Sequence, residues 1–321
     1  MRPTTATLTS VRVSAPARLH LGFLDMNGAL GRRFGSIGMA VDQPATRLSA
    51  ARAETNSATG AESTRVLKLI QMFAKGSGTG FAIDVAEAIP AHAGLGSGTQ
   101  LALAVGTAIA RLQGRELGRD ELADTGERGM RSGIGLAAFD GGGFLIDGGR
   151  GPSDRAPPVI LRSDFPDDWR VLLMLDPSRA GVSGDAEKTA FAALPEFPQT
   201  AAAHICHLVL MKLVPGLKEK DIAAFGEALT EIQHLVGTHF APRQGGSLWT
   251  SPAVGRIAKR MQDQGATGIG QSSWGPTGFA FVDSDEAAVR LYHSLVEAAK
   301  ADGVEIVIAR GRNSGARIET T

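Results

Sequence analysis

The order of apolar and polar residues predicts a strand followed by a helix in the first half of the chain. Residues 81–86 (Phe-Ala-Ile-Asp-Val-Ala) alternate large side chains with small or polar ones, which is the period-two pattern of a half-buried strand. Pro90 ends this pattern, and residues 101–112 are apolar, rich in alanine and free of proline. We expect this second segment to form a largely buried helix.

The second half of the chain shows a similar alternation, which predicts an α+β fold. Strands are predicted at residues 170–176, 278–282 and 304–308, and helices at residues 200–214, 221–237 and 285–300. Asp283, with Glu286 three residues later, forms a capping-box pattern at the start of the last helix. A strand, a helix and a strand in succession at the end predict a split β-α-β arrangement.

One turn, one loop and one connector divide the first half. Asn27-Gly28 is a strong hairpin signal. Residues 51–64 show no clear period and are expected to form a surface loop. Residues 151–158 contain three prolines and two charged residues, which is typical of an exposed connector. We therefore predict two domains, residues 1–158 and residues 159–321.

Composition narrows the class of protein and the compartment. The chain has 321 residues, of which 43% are hydrophobic and 21% charged, so it can bury a globular core. Its 33 basic residues equal its 33 acidic ones, which argues against nucleic acid or a membrane surface as a partner held by bulk charge. Cys206 alone cannot form an internal disulfide, and we find neither a signal-peptide core nor an uninterrupted apolar run of membrane-spanning length. We expect a cytoplasmic protein.

Residues 94–99, here called the Gly-rich loop, are the strongest chemical signal. The order is Gly94-Leu95-Gly96-Ser97-Gly98-Thr99, followed by Gln100. Glycines allow positive φ and close backbone approach, and backbone N–H groups at a helix start favour phosphate oxygens. The hydroxyls of Ser97 and Thr99 could ligate Mg²⁺ or a phosphate oxygen. The chain lacks a Walker Gly-Lys-Ser or Gly-Lys-Thr, Thr99 replaces the third glycine of a dinucleotide fingerprint, and such a loop alone is weak evidence.

A second turn rich in Gly and Ser lies at residues 268–278 and leads into a predicted strand. It contains Ser272-Ser273-Trp274-Gly275. A flat indole beside glycines can stack on the ring of a ligand, and it can equally pack over a domain junction. The sequence leaves both interpretations open.

Five ionisable residues near the amino terminus form the third signal. They are Arg18, His20, Asp25, Arg32 and Arg33, and glycines lie among them. Guanidinium groups suit the recognition of phosphate or carboxylate. The alternative is a solvated hairpin edge, which we would favour if the cluster stood alone.

These three segments together resemble the GHMP superfamily. Pro16-Ala17-Arg18 is similar to its first motif, residues 90–100 to its second and residues 268–278 to its third. Their order and spacing extend over almost the whole chain, which is more specific than any single motif. The resemblance implies a two-domain α+β fold with an amino-terminal domain like ribosomal S5 domain 2, a ferredoxin-like carboxyl-terminal domain and a site between them.

One departure separates this chain from the kinases of the superfamily. Kinases with a catalytic carboxylate carry Ser-Gly-[Ile/Leu/Val]-Asp, whereas this chain has Ser132-Gly133-Ile134-Gly135. The amino-acid sequence of residues 18–35, 94–102, 131–149 and 270–278 instead resembles the β-ribofuranosylaminobenzene 5′-phosphate synthase family. That resemblance implies transfer from 5-phosphoribosyl 1-pyrophosphate (PRPP) to 4-aminobenzoate, or its 4-hydroxybenzoate analogue, with release of CO₂ and pyrophosphate, in methanopterin biosynthesis.

The resemblance also implies roles for individual residues. The catalytic candidates are Arg18, His20, Asp25 and Arg131, and the Mg²⁺ ligands are Ser97 and Glu127. The substrate-binding candidates are Arg32, Arg33, Gly94, Leu95, Gly96, Ser97, Gly98, Thr99, Gln100, Ser272, Ser273, Trp274 and Gly275. The superfamily suggests a homodimer. Two rival functions remain, an ATP-dependent small-molecule kinase and a non-catalytic ligand sensor; intact second and third motifs argue against the sensor.

Overall fold

Two β-sheets organise the chain in the computed structural model, which describes residues 8–126, 132–152, 155–181 and 189–321. The first sheet contains β1 (Ser10–Asp25), β2 (Phe34–Ala53), β3 (Ser57–Gly60), β4 (Gly80–Glu87), β5 (Phe144–Asp147), β6 (Val159–Ser163) and β11 (Arg317–Thr320). Its order is β11-β1-β2-β4-β3, with β5 pairing β2 and β6 pairing β5. The helices packed with it are α1 (Ser63–Phe73), α2 (Ser97–Leu112), α3 (Arg119–Thr125) and α4 (Ile134–Gly141).

The second sheet contains β7 (Arg170–Leu175), β8 (Thr267–Gln271), β9 (Gly278–Val282) and β10 (Glu305–Arg310). Its order is β10-β7-β9-β8 and its pairs are antiparallel. Its helices are α5 (Gln199–Leu208), which continues through the π-helical Val209–Leu213 into α6 (Val214–Glu219), then α7 (Ile222–Phe240), α8 (Pro252–Asp263) and α9 (Asp285–Ala301). The fourth strand beside the first, and the third beside the second, is the ferredoxin-like order, so the predicted fold is confirmed.

The long strand β1 and the helix α7 join the two sheets into one apolar core. Leu19 and Leu21 of β1 belong to the same buried cluster as Phe225 and Ile232 of α7 and Phe279 of β9. Each of these five side chains is fully buried. Apolar packing of this kind resists relative movement of the two halves.

Three local predictions need correction. Residues 51–64 are not a loop, because β2 extends to Ala53 and β3 pairs in parallel with β4. Helix α9 is capped by Ser284, not Asp283: the Ser284 side chain accepts the N–H of Ala287. The predicted boundary after residue 158 does not separate the two sheets. β6 and β11 lie beyond it in the chain, yet they pair with β5 and β1 of the first sheet and cover edges that would otherwise be open.

The continuous helical run Gln199–Glu219 is, among the described residues, the one long and apolar enough to cross a membrane on length and composition alone. Core helices of soluble proteins share these properties, and this run carries His204, His207 and Lys212. It is weak evidence for a membrane span.

Candidate functional site

The Gly-rich loop begins helix α2 with a backbone that favours glycine. Gly94 and Gly96 have φ angles of +84° and +76°, and Gly96 is the N-cap of α2. Leu95 is fully buried and anchors the loop, whereas Ser97 and Thr99 are half-buried. The start of a 16-residue helix therefore faces a partly open space, which is the arrangement that binds phosphate.

Arg18 lies directly against this loop. Its backbone N–H donates to the Leu95 carbonyl at 3.0 Å, and its Nη1 donates to the Gly94 carbonyl at 3.3 Å. A Cβ placed on Gly96 would lie 3.3 Å from the Arg18 Cβ. The first and second motifs are thus in contact.

Ser272 ties the third motif to the other two. Its Oγ accepts the backbone N–H of His20 at 3.0 Å and donates to the Gly94 carbonyl at 2.8 Å. Gly275 packs so closely that a Cβ on it would lie 2.6 Å from the Gly94 Cα. The Ser272 hydroxyl is fully buried, so it joins the motifs and does not face a ligand.

His20 is buried beside these contacts, with an exposed fraction of 3%. Its ring lies 4.6 Å from that of Phe23. Burial, and secondarily the charge of Arg18, hold the pKa of His20 well below its usual range. The imidazole is therefore neutral at neutral pH.

Trp274 packs over the junction of the two halves. Its indole stacks on Phe240 with ring centroids 4.5 Å apart and lies 4.8 Å from Phe191. Only 3% of Trp274 is exposed, so of the two interpretations the structure favours packing over ligand stacking. Ser273 beside it is half-buried and has a φ of +56°.

The hairpin between β1 and β2 uses its charged side chains to hold backbone. Asp25 Oδ1 accepts the N–H groups of Asn27 and Gly28 at 2.7 and 3.0 Å. Arg32 donates to the carbonyls of Gly148 and Gly149, each at 2.7 Å, and Arg33 donates to that of Met26 at 3.0 Å. The contacts of the described residues link Arg32 and Arg33 to these turns and not to the Gly-rich loop.

Asp147 is a fully buried carboxylate that the sequence analysis missed. Its Oδ1 accepts the N–H groups of Ser36 and Gly149, and its Oδ2 accepts the N–H of Gly133 and the Ser132 hydroxyl, at 2.9–3.2 Å. Burial raises the pKa of Asp147 despite these four donors. The signal was present in the sequence, a carboxylate that ends an apolar strand before Gly-Gly. Its partners outside this turn belong to other segments, which lie 14 to 111 residues earlier in the chain.

Gly135 faces the Gly-rich loop. A Cβ on Gly135 would lie 3.3 Å from the Thr99 Cγ2. Gln100 is fully buried, and its Nε2 donates to the Gly135 carbonyl at 2.8 Å. A carboxylate at position 135 would therefore point at the first turn of α2. The side chain of Gln100 holds the Gly135 backbone close to this turn and does not face a substrate.

Two predicted site residues, Glu127 and Arg131, lie outside the described residues. Within the described part of the chain, no three His, Cys, Asp or Glu side chains cluster to hold a metal ion. The structure thus brings together Arg18, His20, the Gly-rich loop and residues 272–275, while Asp25, Arg32 and Arg33 occupy the neighbouring hairpin.

Two family models match parts of this chain. The GHMP kinases N terminal domain matches residues 64–143, and the GHMP kinases C terminal matches residues 213–301. A beta-ribofuranosylphenol 5'-phosphate synthase from Archaeoglobus fulgidus is 34% identical, covering 96% of this chain and 99% of its own. A protein of the same name from Methanothermobacter thermautotrophicus is 34% identical, covering 95% of this chain and 97% of its own.

Solved structures share the fold at low identity. A homoserine kinase from Cytophaga hutchinsonii superposes with a TM-score of 0.65 at 19% identity, over 98% of this chain and 99% of its own. A mevalonate diphosphate decarboxylase from Staphylococcus aureus gives 0.66 at 16% identity, over 97% and 98%. At these identities the likeness concerns the fold alone.

Proposed function

Because the chain belongs to the beta-ribofuranosylphenol 5'-phosphate synthase family of the GHMP superfamily, we propose that it is a decarboxylating aryl phosphoribosyltransferase. It takes PRPP and 4-hydroxybenzoate or 4-aminobenzoate and forms the aryl C-riboside 5′-phosphate. CO₂ and pyrophosphate are the other products. The riboside would serve methanopterin biosynthesis.

The observation that carries this proposal is Gly135 opposite Thr99. A kinase must deprotonate or orient a hydroxyl at this place, and here the position has no side chain. In the proposed reaction the C1–O bond of PRPP breaks and its electron pair leaves with pyrophosphate. The ring carbon that bears the carboxylate forms the new C–C bond. The bond to CO₂ then breaks and its electrons restore aromaticity, so no protein carboxylate is needed to remove a hydroxyl proton.

The Gly-rich loop and Arg18 supply the charge stabilisation that this departure needs. Backbone N–H groups at the start of α2 favour the growing negative charge on pyrophosphate. Arg18 lies against the same loop, with its Nη1 3.3 Å from the Gly94 oxygen. His20 next to Arg18 is neutral and adds no positive charge, so the cationic contribution at this point comes from Arg18.

The oxygen ligands at the start of α2 fit Mg²⁺. It is a hard cation that binds oxygen and often takes only one or two protein ligands when phosphates supply others. The half-buried Ser97 hydroxyl at the start of α2 fits that role, and Glu127 is the second ligand suggested by the motif. When bound, the ion would neutralise charge on the pyrophosphate.

An aromatic surface near the third motif suits an aryl acceptor. Phe34 and Phe191 are half-buried, with ring centroids 5.5 Å apart, and Phe191 contacts Trp274. The Arg33 guanidinium lies 5.4 Å from the Phe34 ring centroid, where a cation could attract a benzoate carboxylate. Phe34 has a φ of +77°, an unusual backbone for a bulky residue, and such strain is concentrated at ligand sites.

Pyrophosphate release tests the proposal. Purified protein with Mg²⁺ and PRPP should release pyrophosphate only when 4-hydroxybenzoate or 4-aminobenzoate is added, and the faster acceptor identifies the natural ring. ATP with homoserine, mevalonate or galactose should give no phosphorylated product. Phosphorylation of a small alcohol without pyrophosphate release from PRPP would favour a kinase; binding without turnover would favour a sensor.

The assembly and the compartment stay predictions. We expect a homodimer in the cytoplasm, with small molecules as substrates and neither nucleic acid nor membrane as a partner. Sedimentation equilibrium of the purified chain tests the first of these, since a dimer has twice the 33.4 kDa mass of the chain.

A further inference from the structure

Helix α7 lies along β8, one of the two outer strands of the second sheet among the described residues. Outward N–H groups recur at every second residue of such an edge. Ile269 donates its N–H to the Thr230 hydroxyl at 3.0 Å, and Gln271 donates its N–H to Gln233 Oε1 at 2.9 Å. Because Thr230 and Gln233 are three residues apart, they lie on one face of α7. Side chains of the helix thus replace a neighbouring strand.

The amide of Gln233 also reaches the other wall of the candidate site. Its Nε2 donates to the Leu21 carbonyl at 2.6 Å. Leu21 lies where the register of β1 against β2 shifts, between His20 and Gly22, and is the extra residue of a β-bulge. A bulged residue is left without a partner in the strand ladder, and the side chain of Gln233 supplies the hydrogen-bond donor for the Leu21 carbonyl.

Two glycines make room for this bridge. A Cβ on Gly270 would lie 2.4 Å from Gln233 Cγ and Cδ, a distance that packed atoms do not tolerate. A Cβ on Gly22 would lie 3.0 Å from Ile232 Cγ2, and Gly22 has a φ of +149°. Because Gly22 of β1 and Gly270 of β8 have no side chains, α7 approaches both strands closely enough for Gln233 to bond to each.

We propose that Gln233 is a positioning residue that couples the β1 bulge after His20 to the strand that leads into Ser272. The neighbouring bridge from the His20 N–H to Ser272 Oγ joins the same two segments, so the pair fixes the spacing of the first and third motifs. Gln233 acts through these segments, because its bonds go to Leu21 and Gln271. The kinetic part of this inference rests on the proposed function.

Three variants test the role. Gln233→Leu removes both bonds, and kcat should fall roughly tenfold to a hundredfold, since small displacements of reacting groups cost that much. Thr230→Val is the matched control: it removes a bond to the same strand without touching β1, and kcat should stay within about twofold. Gln233→Glu keeps the size, but its carboxylate faces the Leu21 carbonyl. Only the protonated acid can donate there, so its activity relative to wild type should recover as pH falls from about 8 to about 5.

Hydrogen–deuterium exchange without substrate provides a second readout. Peptides that contain Leu21 should exchange faster in Gln233→Leu than in Thr230→Val, because only Gln233 bonds to β1. In β8 each variant frees one N–H, that of Gln271 or that of Ile269. Equal kcat losses in those two variants, a Gln233→Glu pH profile parallel to wild type, or unchanged exchange in Gln233→Leu would each overturn the role. A wild-type protein inactive with both acceptors would contradict the proposed function, and the exchange comparison would still decide on Gln233.

Discussion

The Gly-rich loop and the arginines of the β1–β2 hairpin offer similar ligand chemistry in the sequence, but the structure uses them differently. The loop exposes backbone at the start of α2, next to Arg18. Arg32 instead donates hydrogen bonds from two guanidinium nitrogens to the carbonyls of Gly148 and Gly149. A Gly-rich loop before a helix marks a candidate phosphate site within the local sequence. The partner of an arginine depends instead on which distant segment folds beside it.

The largest effect should come from the loop itself. Gly96→Val adds a branched side chain at a φ of +76°, against Arg18, where we propose that the pyrophosphate of PRPP binds. We expect PRPP affinity to fall by roughly a hundredfold or more in titration calorimetry. Gly76→Val is the control, since Gly76 has a φ of +78° with no atom within 4 Å of its Cβ position. If both variants bind PRPP equally well, the phosphate cradle lies elsewhere.

The hairpin should respond next. Loss of one charge-assisted contact typically costs about 1.5–3 kcal/mol, or roughly ten- to a hundredfold in affinity. Arg32→Ala and Arg33→Ala should therefore not both leave the KM values for PRPP and the acceptor unchanged. Arg52→Ala is the control, because Arg52 also donates to a carbonyl, that of Leu112. If the KM values of Arg32→Ala and Arg33→Ala rise no more than those of Arg52→Ala, the hairpin arginines have a structural role only.

A smaller effect is expected at the metal. Removal of the hydroxyl in Ser97→Ala should raise the Mg²⁺ concentration for half-maximal turnover roughly tenfold, and Glu127→Gln should do the same. Thr99→Val is the comparison within the loop, since it removes the other hydroxyl of the loop and keeps the methyl group that lies nearest Gly135. Turnover titrated with Mg²⁺ that shows unchanged half-saturation in Ser97→Ala and Glu127→Gln would remove both from the metal site.

The smallest effect concerns stability and His20, which lies between the two regions. The folded state holds His20 neutral, while the unfolded chain protonates it below pH about 6.5. The stability from this group is therefore present above that pH and is lost as pH falls towards the lowered folded pKa. From pH about 7.5 to about 5.5, wild type should lose roughly 1 kcal/mol more unfolding free energy than His20→Gln in urea titrations. Parallel curves would show that His20 is not held neutral.

The sequence predicted the elements that carry strong periodicity and the motifs that carry glycine. The helix at α2, the strand at β9 and the ferredoxin-like end all follow from local patterns. The edge strand β3 escaped notice because its four residues are mostly exposed and carry no alternation. β11 was missed because its pairing with β1 joins residues about 300 positions apart, which no local pattern encodes.

At the candidate site, the sequence predicted residues by their chemistry but could not predict which of them are buried in contacts with other segments. Trp274 and Ser272 were chosen for their chemistry, yet both are buried. Ser272 bonds to His20 and Gly94 across the junction, and Trp274 stacks on Phe240. Asp147 and Gln233 were missed because an ordinary Asp or Gln gains its meaning from backbone groups of other elements. Their partners appear only when β1, β5, β8 and α7 come together.

Release of CO₂ from carboxyl-labelled acceptor tests the central claim most directly. With PRPP and Mg²⁺, wild-type protein should release labelled CO₂ from 4-hydroxybenzoate or 4-aminobenzoate in a one-to-one ratio with pyrophosphate, and Gly135→Asp should not increase the rate. Replacement of PRPP by ATP should abolish release. No labelled CO₂ from either acceptor, together with ATP-dependent phosphorylation of a small alcohol, would contradict the account.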